Sequence, residues 1–370
     1  MEEGMDESSY FISSFDLEDY EDYIYNATSS DDYSHSIHVP WRWNFTVTLI
    51  MAVFGIVANS ALLMVIALNR HLRTVSNILV GNLAVADLIM FIFAVPSDIL
   101  HWHVFNWPDN DLGDFLCKLT GGSYSLAQAL CVASLTAVSI ERYCTLRWKI
   151  HTKRTAVILF LVWVFAVVCT VPLLVWAKVV KYSRSFSICH VVPVHTRDNP
   201  TAKGFLTTGF VLKYLIPLLV ITCCYCGMAA VLVRGTPSST AAVRAMRRLA
   251  IVVLVLNIAF AICWLPGHAI NLYFLYTSWD QILAISFETY MTLSEVAHVL
   301  VYVNSCLNPV VVFAISATHR EPLMRFARSC LFCVRQAPPS TGTDQNAGDR
   351  YARIPDDVFV TETECAEEKA

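Results

Sequence analysis

Polar residues crowd the chain between seven long apolar stretches, roughly Val47–Leu68, Ile78–Ile99, Leu116–Ile140, Ala156–Trp176, Phe205–Val233, Leu249–Leu275 and Ile282–Ala314. A membrane-crossing helix needs about 20 mostly apolar residues, and each stretch reaches that length. The connections are mostly short, which predicts one bundle and not several domains. The expected fold is therefore an all-α membrane protein, a seven-transmembrane helix bundle over residues 45–316. Composition agrees: 15% of residues are charged and 56% hydrophobic, where a soluble domain carries about 25% charged residues.

The flanks read differently. Residues 1–44 are acidic and rich in tyrosine, as in DLEDYEDYIYNATSSDDY, and such a segment buries too little apolar surface to fold alone. Residues 317–335 place Leu323, Phe326, Ala327, Cys330, Leu331 and Val334 at helical spacing, with arginines mostly off that stripe. This predicts an amphipathic helix lying on membrane lipid at the interface, where Cys330 and Cys333 are palmitoylation candidates. The polar tail of residues 336–370 is expected to lack a fold.

Basic residues set the expected orientation. With the N-terminus outside, the inner loops hold Arg70, Arg73, Arg147, Lys149, Lys153, Arg154, Arg234, Arg244, Arg247 and Arg248, and arginines follow the last span. The C-terminus is then cytosolic. Residues 1–40 have no apolar leader core, so the first span is expected to act as its own insertion signal. Outside, Asn26 and Asn44 each begin a glycosylation acceptor sequence. Tyr20, Tyr23 and Tyr25 lie among acids; they are either sulfated and attract a basic ligand, or the tail only solvates.

Most of the thirteen cysteines fall in spans, where a cysteine packs as a small apolar residue. Cys117 and Cys189 instead fall on the outer side, an oxidising setting, and a disulfide between them is expected. The loop KVVKYSRSFSICHVVPV alternates on both sides of Ser183-Arg184-Ser185, which predicts a β-hairpin lid.

Polar groups at membrane depth are costly, so each is a functional candidate. Toward the inner half these are Asn59, Asp87, Arg142, Trp264, Asn304, Ser305 and Asn308. The Asp87 carboxylate needs a cation, a proton or several donors, and the polar run NSCLNP offers partners while Pro309 frees backbone carbonyls. The network is either a switch or a static brace between helices.

The motifs fall one to a span: Asn59 in GIVANS, Asp87 closing LAVAD, Glu141-Arg142-Tyr143, Trp163, Pro217 with Tyr225, Phe260 to Pro266 as FAICWLP, and NSCLNP ending at Pro309. In that order, over about residues 45–333, they resemble a rhodopsin-like (class A) G-protein-coupled receptor. The resemblance implies a membrane switch that couples to a heterotrimeric G protein, with arrestin and receptor kinases as further partners. Glu141 would hold Arg142 at rest; Trp264 would sit below the ligand and couple to Phe260 and Pro217. Asp87, with Asn304 and Ser305, would form an allosteric sodium site, although Cys131 stands where the family has a serine. The family also expects a tyrosine at Val312, so the usual partner of the Tyr225 hydroxyl is missing. The expectation is a less stabilised active state and low basal activity, unless water or Asn308 compensates.

By the same resemblance, Tyr124 occupies the place of the acid that amine receptors use, and Tyr302 that of the retinal lysine, which excludes both ligand classes. The outer-half candidates for a ligand are Asp98, His101, Tyr124, Gln128, Lys213, His268, Asn271, Glu288, Glu295 and His298. Lys213 either binds a ligand carboxylate, pairs with an acid such as Glu295, or snorkels toward headgroups. Mixed charges, the lid and the acidic tail suit an extracellular peptide, and Trp107-Pro108 is similar to bombesin-like or related neuropeptide receptors. A scavenging receptor without signalling is the alternative, and a transporter a remote one, since no repeat is visible. No zinc motif, P-loop or nucleophile elbow points to an enzyme, and nothing in the chain points to nucleic acid.

Overall fold

The computed structural model describes residues 31–96, 107–148, 154–183, 186–190, 200–234, 240–277 and 287–336; for parts of these, including 31–44, 240–249 and 329–336, it describes the backbone path alone. Two compact units divide the chain, Met1–Met324 and Arg325–Ala370, and the helix bundle belongs to the first.

Helix α1 runs over Asp31–Leu68 and a short 3₁₀ turn comes next at Arg70–Leu72. Helix α2, Val75–Ile89, continues through a π-helical turn at Met90–Ala94. Its start is capped by the Thr74 hydroxyl, which accepts from the Asn77 amide. Helices α3 and α4 span Asp111–Trp148 and Thr155–Trp176. Helix α5 is built from Pro200–Phe210, a π turn at Val211–Leu215, and Ile216–Arg234. Helices α6, α7 and α8 cover Thr240–Tyr276, Phe287–Ile315 and Ala317–Gln336. Seven helices have the length and apolar composition to cross a membrane, each overlapping one of the expected stretches, of which residues 97–99 and 282–286 lie outside the described residues.

The observed helices outrun the hydropathy pattern. Helix α3 begins at Asp111 and ends at Trp148, and α6 begins at Thr240, beyond the apolar stretches expected for them. Apolarity marks what lies in lipid, whereas helix propagation adds one hydrogen bond per residue and continues into polar sequence. For the same reason α1 already begins at Asp31, a correction to the expectation that all of residues 1–44 lack a fold.

Helix α3 is the central post, packed against α2, α4 and α5, while α1 packs against α2 and α7, and α6 against α7. Buried Leu62, Phe91, Leu130, Leu256 and Phe260 fill the interior. Burying such a side chain stabilises by about 1.5–3 kcal/mol in water; within lipid the gain is close packing instead. Gly55 permits the tightest part of the α1–α2 contact, since a Cβ there would lie 2.1 Å from Phe91 Cε2. A hydrogen-bonded triad joins three helices: Trp163 Nε1 donates to Asn82 Oδ1 at 3.0 Å, and Asn82 Nδ2 donates to Ser134 Oγ at 2.8 Å.

Strands β1, Lys178–Ser183, and β2, Phe186–His190, pair antiparallel as the expected hairpin. The Cys117–Cys189 disulfide ties it to α3, with the Cα atoms 5.4 Å apart. Two further bonds hold the hairpin: Asp114 Oδ1 accepts from the Val179 amide at 2.8 Å, and Ser187 O from the Trp107 amide at 3.1 Å. Lys181 and Asp109 form an exposed ion pair at 2.8 Å, which adds little in water.

Candidate functional site

A cluster of polar and aromatic side chains gathers from α3, α5, α6 and α7. Gln128 Nε2 on α3 donates to His268 Nε2 on α6 at 2.9 Å. The His268 ring lies 5.0 Å from the Tyr214 ring and 5.5 Å from Phe210, both on α5. Lys213 Nζ donates to Ser125 Oγ on α3 at 3.2 Å. Tyr124 stands one residue earlier, edge-on to Trp264 at 5.5 Å and to His298 on α7 at 5.9 Å. These five expected residues, Tyr124, Gln128, Lys213, His268 and His298, therefore share one neighbourhood.

The π turn in α5 contributes to this convergence. A π-helical turn carries one extra residue, so it rotates the helix beyond it relative to the helix before it, and such turns are frequent at functional sites. Lys213 and Tyr214 both lie in it. The Tyr214 hydroxyl donates to Ala261 O at 2.7 Å and so links α5 to α6.

The other ligand candidates are placed less fully. Asn271 is exposed on α6 and Glu295 half-buried on α7. Asp98, His101 and Asn26 lie outside the described residues, as do the side chains of Asn44, Glu288, Cys330 and Cys333.

Below the cluster, Phe260 and Trp264 have ring centroids 5.8 Å apart, and Tyr214 lies 6.1 Å from Phe260. Trp264 and Phe260 are buried, and Trp264 Nε1 has no hydrogen bond. Deeper, Asp87 Oδ2 accepts from Asn308 Nδ2 at 2.8 Å, with Ser305 beside it. Asn59 Nδ2 donates to Gly55 O at 2.9 Å and to Ser305 O at 3.2 Å. Asn304 stands near the Cys131 thiol, and neither of its amide atoms is hydrogen bonded. The side-chain oxygens of Asn59 and Asn308 also lack partners.

At the inner end, Glu141 pairs with Arg142 Nε at 3.6 Å and accepts from Thr145 Oγ1 at 3.2 Å and from the Ser76 hydroxyl. Asn257 Nδ2 on α6 donates to Ser139 Oγ on α3 at 3.3 Å. The Tyr225 hydroxyl donates to Ala250 O at 3.1 Å, an α5–α6 bond at the end where Val312 is buried in the core. Tyr143, next to the arginine, is edge-on to Trp148 at 5.4 Å.

Ser76, Asn82, Ser139, Tyr214 and Asn257 join these networks without standing among the candidates that the sequence suggests. Asn82 and Asn257 sit inside apolar runs, where the cost of a buried amide is itself the signal. Ser76 lies just before the second apolar stretch and carries no such mark.

Comparison with known proteins gives the same architecture a family. The profile of the family described as "7 transmembrane receptor (rhodopsin family)" matches residues 58–311. The chain is 30% identical to the neuropeptide CCHamide-1 receptor of Drosophila melanogaster over 76% of this chain, and the match spans 58% of that protein's length. It is 29% identical to the allatostatin-A receptor of Bombyx mori over 76% of this chain and 78% of the relative. Bombesin receptor subtype-3 of Ovis aries is 26% identical over 85% of this chain and 80% of its own length. Seven spans, the order of their motifs and the profile match together make this chain a member of the rhodopsin family of seven-transmembrane receptors.

Proposed function

We propose that this receptor binds an extracellular peptide and passes that binding to a heterotrimeric G protein through rearrangement of its helix bundle. The observation that carries the reading is continuity. Tyr124, beside Gln128, His268, His298 and Lys213, abuts Trp264, and Trp264 packs against Phe260 in the buried core of the bundle. A ligand seated on Tyr124 presses on Trp264; if it binds the rearranged bundle more tightly than the resting one, the population shifts. The family relatives named as receptors for CCHamide, allatostatin-A and bombesin support a peptide as that ligand.

In this reading the chain is a multi-pass plasma-membrane protein with its N-terminus outside and its C-terminus in the cytosol. The Glu141–Arg142 pair is the resting lock, and Arg142 turns to the G protein once α5 and α6 part at their inner ends. Tyr143, Tyr225, Asn308 and Pro309 belong to the same switch. Arrestin, receptor kinases and membrane lipid are its further partners on the inner side.

The Asp87 surroundings fit a sodium ion. A hard cation takes oxygen ligands, and a carboxylate, the Ser305 hydroxyl and the unpartnered amide oxygens of Asn304 and Asn308 are grouped there. Cys131 supplies a soft sulfur in place of one oxygen. When bound, the ion offsets the buried carboxylate charge and favours the resting bundle.

The test is a calcium and cAMP readout in cells expressing the chain, challenged with a panel of neuropeptides. A sub-micromolar response to one peptide, with saturable binding of that peptide, is expected. Saturable binding without any response would establish the scavenging receptor instead, a reading to which the buried Val312 points. Absence of both binding and response across the panel would overturn the peptide reading.

A further inference from the structure

Lys213 has an environment unusual for a cation at membrane depth. Its stem runs outward over Gly209, where an added Cβ would lie 3.7 Å from Lys213 Cε. The ammonium ends inside the bundle, not among headgroups: it donates to Ser125 Oγ at 3.2 Å, and Cys169 on α4 and His268 on α6 lie within electrostatic reach. Among the described residues no carboxylate pairs with it; the ion pairs there are Glu141–Arg142 and Asp109–Lys181. The expected Lys213–Glu295 pair is therefore not formed.

An ammonium has three N–H donors. Ser125 takes one and brings no charge. Uncompensated charge away from water is expensive, and no described residue supplies the counter-charge, so a ligand can bring it. Its neighbours fit that role. Gln128 adds a second amide N–H, and because His268 Nε2 accepts from Gln128, the neutral imidazole carries its proton on Nδ1. The rings of Phe210 and Tyr214 close around His268. The cluster is thus rich in donors, flanked by aromatic rings and placed beside Tyr124 and Trp264. An amide group offers it no charge; a carboxylate offers charge and two acceptor oxygens.

The geometry points to Lys213 as the anchor for a ligand carboxylate, presented either as a free peptide C-terminus or as an acidic side chain. This assignment rests on the peptide-receptor reading above. It makes the depth of the pocket selective for acids, since a charge-assisted bond to an ammonium is roughly twice as strong as a neutral one.

The test uses the full-length chain in lipid nanodiscs and three small probes. These are N-acetyl-phenylalanine, N-acetyl-phenylalaninamide and N-acetyl-aspartyl-phenylalaninamide, each titrated while thermal unfolding is monitored. The account expects at least one acid to bind roughly tenfold or more tightly than the neutral amide. Preference for the first probe assigns a C-terminal carboxylate, and preference for the third an acidic side chain. Lys213→Arg should keep the preference and Lys213→Gln should erase it. Equal shifts from acids and amide, zero included, would overturn the assignment, as would an acid preference that survives in Lys213→Gln. The matched probes on the unmodified chain decide the matter even if the glutamine variant fails to fold. The two readings also separate: acid preference with neither binding nor response across the peptide panel keeps this site and sinks the peptide receptor, whereas peptide activation without acid preference does the reverse.

Discussion

The two ends of the bundle treat their charges in opposite ways. At the inner end, Glu141 is surrounded by partners from its own chain: Arg142, Thr145 and Ser76. Neighbouring bonds from Asn257 to Ser139 and from Tyr225 to Ala250 tie α6 to α3 and α5. Toward the outer end, among the described residues, Lys213 has one neutral partner and Trp264 Nε1 has none. Polar groups that close on one another hold a conformation; polar groups left open await a guest. The molecule is therefore shut where a G protein would dock and receptive where a ligand would enter. Even the shut end is held lightly, since Arg142 meets Glu141 at 3.6 Å with no hydrogen bond at Nε.

This contrast can be sharpened first in the middle of the bundle. If sodium sits on Asp87, raising sodium should weaken agonist binding by about fivefold or more in the unmodified receptor, in line with typical coupling energies. Asp87→Asn should abolish the dependence. Binding that ignores sodium in the unmodified receptor contradicts the fit argued from Asn304 and Asn308.

Changes at the inner end come next. Val312 is buried, and a tyrosine there overpacks the resting core, at a typical cost of about 1–3 kcal/mol. It would also supply the hydroxyl that the family pattern pairs with Tyr225, whose own hydroxyl here donates to Ala250 O. Val312→Tyr should raise basal signalling by roughly fivefold or more; unchanged basal and stimulated signalling would remove Val312 from the account. Glu141→Gln deletes the charge of a weak pair, worth about 0.2–1 kcal/mol. Basal activity should rise by up to roughly fivefold, and a fall would mean that Glu141 does not restrain Arg142.

The smallest effect concerns the junction of α7 and α8. His319 is buried, and its Nδ1 lies 2.7 Å from the Ser316 hydroxyl. Burial, and then the nearby His71, holds the His319 imidazole below its ordinary value of 6.5. The sign is set by that depression: below pH about 6.5 the unfolded chain takes up the proton and the folded one resists, so stability falls as pH falls. Above that pH the contribution is complete. Amide exchange around residues 316–320 should quicken when the pH drops from 7.5 to 5.5 after correction for intrinsic rates, and His319→Gln should flatten that response.

Much of this was legible in the sequence because the physics is local. Length and apolarity define each span, and alternation around Ser183-Arg184-Ser185 defines the hairpin. Helix ends were less legible, since α3 and α6 continue into polar sequence where hydropathy gives no signal. The two π turns carry no residue signature, yet Lys213 lies in one of them. The neighbours of that lysine were equally hidden: Ser125 and Gln128 are 88 and 140 residues from the groups they bond. Only helix packing brings such positions together. Motifs pointed to the residues of the inner end, whereas the outer cluster becomes visible only in the fold.

A ligand at the open end is expected to release the shut end toward a G protein. The most direct test is nucleotide exchange on a purified heterotrimer, with the receptor in nanodiscs and the peptide found active in cells. The account predicts peptide-dependent exchange that disappears in Arg142→Ala while peptide binding persists. Saturable peptide binding with exchange at background in the unmodified receptor would contradict it.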